Sequence, residues 1–105
     1  LRDTLVVTKT SGDGIIIDAD NVILDLNGFA VIAGPQQTDD GIVVQGTQEN
    51  ITIKNGSVIG FGGDGINGLV ADLSTFENLL VKDNGDDGIS TDFSCLVINC
   101  FVCVH

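Results

Sequence analysis

The sequence is poor in basic and in large aromatic residues. Among its 105 residues, four Lys and Arg stand against fifteen Asp and Glu, which gives a net charge of −11. Nucleic acids and anionic membranes are bound through clustered Lys and Arg, so this composition argues against both as partners. Trp and Tyr are absent, and five Phe are the only aromatic residues. The ring platforms on which sugars often stack are therefore missing.

Proline, methionine and long apolar runs are also scarce. Pro35 is the single Pro, whereas there are 14 Gly, a balance that favours many turns and short strands over long helices. No apolar run reaches the roughly 18 residues of a membrane-spanning helix, and no signal peptide is visible. Because the chain contains no Met, we expect it to be a processed or incomplete gene product.

The three cysteines are confined to the region near the C-terminus, at Cys95, Cys100 and Cys103, close to His105. This spacing superficially resembles a zinc cluster. However, the residues lie in an alternating apolar run, and the sequence lacks the two C-x-x-C pairs of a typical four-cysteine zinc site. Buried free thiols are therefore expected rather than a metal site. Free thiols and the lack of a visible signal favour the cytoplasm.

A repeat dominates the sequence. Asp-Gly-Ile occurs four times, with glycines at positions 14, 41, 65 and 88 that are 27, 24 and 23 residues apart. Repeats of this length are typical of solenoids, in which one coil cannot bury its apolar face alone and neighbouring coils stack. The residues that follow the glycines are predicted to form one internal column: Ile15, Ile42, Ile66 and Ile89.

Each repeat predicts a strand after Asp-Gly and a second strand after an Asn, or after Cys95 in the last repeat. A third strand follows Asn-Gly in the first two repeats. These strands and turns predict a single domain over 1–105, with a capping strand in 1–13 and about four coils in 14–105. Gly and Asn tolerate positive φ, which explains them at the turns. Two Asn ladders are predicted between coils: Asn21, Asn50 and Asn78; and Asn27, Asn55 and Asn84.

One stretch competes with the strand pattern. Leu69, Leu73, Phe76 and Leu80 recur at helical spacing, which predicts a short helical excursion near 69–76. Residues 60–65 before it match the dinucleotide-binding motif G-x-G-x-x-G. The glycine that ends this motif belongs to the Asp-Gly-Ile repeat, and equivalent glycines occur without the motif. A tight turn is therefore the preferred interpretation.

Two segments of the chain resemble a known group of proteins. They are residues 14–28, Gly-Ile-Ile-Ile-Asp-Ala-Asp-Asn-Val-Ile-Leu-Asp-Leu-Asn-Gly, and residues 50–61, Asn-Ile-Thr-Ile-Lys-Asn-Gly-Ser-Val-Ile-Gly-Phe. They resemble the right-handed parallel β-helix repeat proteins of pectate-lyase-like fold, over roughly residues 5–104. The resemblance implies an all-β, single-stranded, right-handed parallel β-helix. It does not select a function, because this fold carries lyases, hydrolases, epimerases and phage tailspikes.

The catalytic patterns that the resemblance suggests are missing here. The lyases of this class pair calcium-binding acids with a basic catalytic Arg or Lys, whereas only Lys54 and Lys82 lie in the coils and neither has a nearby Arg. The polygalacturonase-like hydrolases use Asn-Thr-Asp, Asp-Asp, Gly-His-Gly and Arg-Ile-Lys motifs. Only Asp-Asp occurs, at 39–40 and 86–87. A carbohydrate-active domain is therefore an alternative function rather than the leading one.

Acidic residues recur at the Asp-Gly turns. If the coils stack in register, these carboxylates align along one edge, where they are candidates for calcium ligands at Asp40, Asp64 and Asp87. The competing interpretation is that each Asp side chain caps its own tight turn. A calcium-binding module is therefore a second alternative, and otherwise no cofactor is expected.

The leading hypothesis is a non-catalytic structural or interaction module that self-associates. The apolar run Cys95–Val104 ends without a polar capping segment, and a solenoid end with unpaired backbone groups invites pairing. A homodimer or homotrimer is expected. The predicted interface consists of Leu96, Ile98, Phe101, Val102 and Val104.

Overall fold

A computed structural model of the chain describes residues 3–8, 10–92 and 94–102. Within these residues there are thirteen β-strands and no helix. The strands are β1 (Leu5–Val7), β2 (Ile15–Ile17), β3 (Ile23–Asp25), β4 (Ala30–Ala33), β5 (Ile42–Val44), β6 (Gln48–Glu49), β7 (Thr52–Ile59), β8 (Ile66–Gly68), β9 (Ala71–Asp72), β10 (Thr75–Lys82), β11 (Ile89–Thr91), β12 (Leu96–Ile98) and β13 (Phe101–Val102).

The strands stack in parallel, each on the strand at the same place in the next coil. One sheet has the order β2-β5-β8-β11, and a second has the order β1-β4-β7-β10-β12, with β3 on β7 and β13 on β10. The short strands β6 and β9 form a third pair. The chain is thus an all-β parallel solenoid of about four coils, β2–β4, β5–β7, β8–β10 and β11–β13.

The core is a set of columns that run from coil to coil. Ile15 pairs with Ile42, Ile42 with Ile66, and Ile66 with Ile89, which confirms the column predicted from the repeat. Ile42 and Ile66, in the two middle coils, are fully buried. The Asp-Gly-Ile repeat therefore marks the strand that starts each coil.

The predicted helical excursion near 69–76 is wrong. This segment contains the end of a turn, the strand β9 and the start of β10, and Phe76 pairs with Ile53 of the coil below. Residues four apart share a helical face, but residues two apart share a strand face. In β10 the inward set is Phe76, Leu79 and Val81, and it alternates except at the bend after Asn78.

The prediction of the first Asn ladder, Asn21, Asn50 and Asn78, is correct in part. The Asn50 side chain donates to Asn21 Oδ1 at 3.0 Å, as expected, but Leu73 (φ 51°) occupies the equivalent corner of the third coil. Asn78 belongs to the other ladder, because its Nδ2 donates to Asn55 Oδ1 at 3.1 Å. The reason is that β7 and β10 are each continuous over eight residues. Asn78 therefore marks a bend within a strand and not the start of one.

The second ladder is also corrected. Above Asn78, Asn99 donates to its Oδ1 at 2.8 Å, so the ladder continues into the fourth coil. Asn84 takes no part in it. Its buried Oδ1 accepts the N–H of Phe61 at 2.8 Å, so this Asn serves an inner corner of the stack.

The glycines of the repeat were expected to supply positive φ at turns, and the structure gives them a different role. Gly14, Gly41 and Gly65 are not among the residues with positive φ. A Cβ added to Gly14 would lie 2.6 Å from the carbonyl oxygen of Gly41, and one added to Gly41 would lie 2.6 Å from that of Gly65. The backbones of consecutive coils approach too closely for any side chain, and this contact selects Gly at each level.

Candidate functional site

The aspartates of the repeat form a column of hydrogen bonds. Each carboxylate Oδ1 accepts the backbone N–H of the aspartate one coil above: Asp13 from Asp40 at 3.0 Å, Asp40 from Asp64 at 2.7 Å, and Asp64 from Asp87 at 3.0 Å. We call these four residues the aspartate ladder. The close approach at the adjacent glycines brings the corners into this register, so the ladder fastens each coil to the next.

Two polar side chains on the outer face of the first sheet complete the ladder. Asn67 Nδ2 donates to Asp40 Oδ2 at 3.1 Å. The Ser90 hydroxyl lies 3.0 Å from Asp64 Oδ2 and 3.1 Å from Asp87 Oδ2. Sequence reasoning missed both residues. The available signal was a change of residue type, because the equivalent positions in the first two coils are Ile16 and Val43.

Asp64 has the least solvated carboxylate of the ladder. Burial raises the pKa of Asp64 above its ordinary value, and the negative charges of Asp40 and Asp86 raise it further. The N–H of Asp87 and the hydroxyl of Ser90 act in the opposite direction without reversing the shift. Burial among acidic neighbours therefore favours the protonated form of the Asp64 carboxyl.

The group of three carboxylates that the described residues place within reach of one metal ion differs from the predicted calcium set. Ligand atoms of Asp64, Asp86 and Asp87 all lie within 4.8 Å of one another, whereas Asp40, which the sequence reasoning chose, is not in that group. Calcium requires six to eight oxygens, and three carboxylates supply part of such a shell. The prediction of calcium binding at Asp40, Asp64 and Asp87 stays a prediction, and Asp86 joins its candidates.

The glycine-rich motif at 60–65 lies in a turn between two strands. The helix that would follow it in a dinucleotide site is replaced by β8, β9 and β10. Gly62 and Gly63 instead pack against the backbone of residues 37–39 in the coil below. Close packing of coils therefore explains these glycines.

The thiols of Cys95 and Cys100 are half-buried and free. Cys95 Sγ donates to the carbonyl oxygen of Ala71 at 2.8 Å, and Cys100 Sγ donates to that of Phe76 at 3.3 Å. Both thiols therefore contact the backbone of the third coil. Cys103 and His105 lie outside the described residues.

The predicted interface lies on β12 and β13, at the end of the stack formed by the fourth coil. Five large apolar side chains in these strands are between 39% and 65% exposed: Leu96, Val97, Ile98, Phe101 and Val102. Val97 is an addition to the predicted set, and Val104 lies outside the described residues. By register, Val97 lies over the buried Phe76, and Val102 lies over the buried Val81. These two valines continue the core columns into the exposed end.

No pocket is enclosed by the part of the chain that the structure describes. None of the described residues forms a helix that could span a membrane. Comparisons with protein-family models, with curated proteins and with solved structures found no match. The interpretation of function therefore depends on two features of this chain, the aspartate ladder and the apolar end.

Proposed function

We propose that this chain is a non-catalytic structural or interaction module that binds further copies of itself through β12 and β13. We also propose that its solenoid belongs to the right-handed, pectate-lyase-like class. About 98% of parallel crossover connections are right-handed. Three strand positions per coil and Asn residues at the corners support this class.

The observation that carries the proposal is the concentration of exposed apolar side chains in the fourth coil. Elsewhere Val6, Ile16 and Ile23 are exposed one to a strand, and single residues of this kind are ordinary on a protein surface. Leu69, Val70 and Leu73 are also exposed, in the loops on either side of β9, outside the paired strands. In β12 and β13 all five residues are exposed. Contiguous apolar patches of this kind mark interaction surfaces.

Electrostatics favour the same surface. The chain carries a net charge of −11, yet residues 93–102 contain no charged side chain. Two copies that met through other faces would bring carboxylates together, and like charges oppose association. The segment 93–102, which carries β12 and β13, is the region where copies can meet with the least repulsion.

The oligomeric state tests this proposal. Sedimentation equilibrium of the full chain should give an oligomer, and Ile98→Lys should shift it to the monomer. In the register of the sheet Ile98 lies beside Glu77, so the new lysine gains an opposite charge within its own chain and the fold is retained. The matched control is Ile23→Lys, which places the same charge on exposed β3 at the other end of the stack.

A harsher variant combines Val102→Lys with Val104→Lys and should dissociate the assembly or block folding. A wild-type chain that stays monomeric at high concentration contradicts the proposal. An Ile98→Lys variant that is folded and keeps the mass of the wild-type assembly also contradicts the proposal.

A further inference from the structure

The backbone of β12 has one edge committed and one edge open. Leu96 N–H donates to the carbonyl oxygen of Ser74 in the coil below at 2.8 Å. In a parallel ladder, alternate residues of a strand bond to the same neighbour. Leu96 and Ile98 therefore direct their backbone groups at β10, and Val97 directs its N–H and C=O away from it. Among the described residues, no strand lies on that side.

The two ends of the stack differ in charge. At the first coil, Asp18, Asp20 and Asp25 are exposed. A hydrogen bond from the backbone N–H of Asn27 lowers the pKa of Asp25, which keeps that carboxylate ionised. Packing the apolar fourth coil of one copy against this end would take these charged groups out of water and place them against apolar side chains. β12 and β13 carry no carboxylate, so packing these strands of two copies against each other removes none of their own from water.

These observations point to one geometry for self-association, which rests on the proposed function. We propose that two copies join fourth coil to fourth coil, with their β12 strands antiparallel and a two-fold axis at Val97. In an antiparallel pair, a hydrogen-bonded pair of residues exchanges two N–H···O=C bonds. Val97 and its counterpart in the second copy make that exchange, and Leu96 faces Ile98 of the second copy on the same side of the sheet.

The available area sets the conditions for a test. The molecule measures 33 × 25 × 25 Å. A face bounded by two of these extents offers on the order of 600–800 Å² per copy, at or below the roughly 800 Å² per partner of a standard interface. The association is therefore to be measured at protein concentrations of tens to hundreds of micromolar, where modest affinities populate the dimer.

Disulfide cross-linking tests the axis. In a background with Cys95, Cys100 and Cys103 replaced by Ser, Val97→Cys should form a covalent dimer on mild oxidation. An antiparallel hydrogen-bonded pair has Cα atoms about 5.5 Å apart, within the range that a disulfide spans. Ile23→Cys, an exposed position at the other end, should stay monomeric under the same oxidation.

A second pair of variants tests the register between the β12 strands of the two copies. Unlike Val97→Cys, neither substitution lies over the buried core. Leu96→Cys and Ile98→Cys, both on the outer face, should cross-link when the two variants are mixed and much less when each is oxidised alone. Efficient cross-linking in the mixture supports the two-fold axis at Val97.

The remaining outcomes separate this geometry from the proposed function. Ile98→Lys could dissociate the dimer while neither Val97→Cys nor the mixture of Leu96→Cys and Ile98→Cys forms cross-links. That result overturns the two-fold axis at Val97 and leaves self-association standing. Cross-linking between Val97→Cys and Ile23→Cys in a mixture shows head-to-tail stacking and also overturns it. A wild-type monomer overturns both.

Discussion

Asp64 and Asp87 occupy the same corner of consecutive coils, and the carboxylate of Asp64 accepts the backbone N–H of Asp87 at 3.0 Å. The bond fastens the fourth coil, which carries the apolar end, to the third. Because Asp64 is buried among acidic neighbours, its protonation and the stability of this junction are linked.

Stability should therefore depend on the proton of Asp64. Its pKa is raised in the folded chain, so its contribution to the free energy of unfolding is fully present below the unfolded pKa of about 3.9. That contribution is lost as the pH rises through the higher folded value. Asp64→Asn keeps an oxygen for the Asp87 N–H and carries no charge, so the variant should lose this pH-dependent step and be more stable than the wild type at pH 7.

Urea denaturation at a series of pH values from 3 to 8 measures this difference. Asp83→Asn removes the same charge from an exposed corner and serves as the control. If the two variants show the same pH dependence, the effect belongs to overall charge and not to Asp64.

The internal column should be sensitive to truncation. Ile66 is fully buried between Ile42 and Ile89. Ile66→Ala removes buried methyl groups and leaves a cavity, and it should lower the free energy of unfolding by about 2–5 kcal/mol. Chemical denaturation measures the loss. Ile23→Ala, at an exposed position, should change it by less than about 1 kcal/mol, and equal effects at both positions would argue against a packed column.

Gly41 should tolerate no side chain. A Cβ there would lie 2.6 Å from both the carbonyl oxygen of Gly65 and the Val58 side chain. Gly41→Ala must separate two coils and should cost about 1–3 kcal/mol or more. Gly28→Ala meets open space but a φ of +83°, and its cost should be about 1–2 kcal/mol. Thermal unfolding of both variants ranks them, and a Gly41→Ala protein as stable as the wild type would contradict the close approach.

Calcium is the remaining prediction. Millimolar Ca²⁺ should release or absorb measurable heat in a calorimetric titration and should raise Tm, because binding to the folded state stabilises it. Asp86→Asn should weaken this response, whereas Asp83→Asn should not. Neither heat nor a Tm shift in the wild type would remove the hypothesis.

The stacking direction and the first strand of each coil were predictable because the repeat is strict there. Asp-Gly-Ile recurs with a shared offset to the inward Ile, and the structure confirms the column. The sequence predicted which residue types occupy the corners. It did not predict which corners of successive coils lie above one another. Asn is common at positive φ, so its presence identifies a corner without identifying which one, and Asn78 was assigned to the wrong ladder.

The aspartate ladder and its outer partners were only partly predictable. Sequence reasoning aligned the carboxylates along one edge, but it treated the repeat glycines as turn formers. Their close contact with the next coil depends on the distance between coils, which no local pattern encodes. Asn67 and Ser90 were missed because single polar residues on an outer strand face are ordinary, and only the register brings them to the carboxylates.

The regular spacing of the columns also makes the molecule modular at the level of its gene. Residues 41–64 make up one full coil, and their removal would join Asp40 to Gly65 and recreate Asp-Gly-Ile at the junction. Ile15 would then meet Ile66 as it now meets Ile42. Chains of this design can therefore lengthen or shorten by whole coils through in-frame duplication or deletion, while the two ends keep their surfaces.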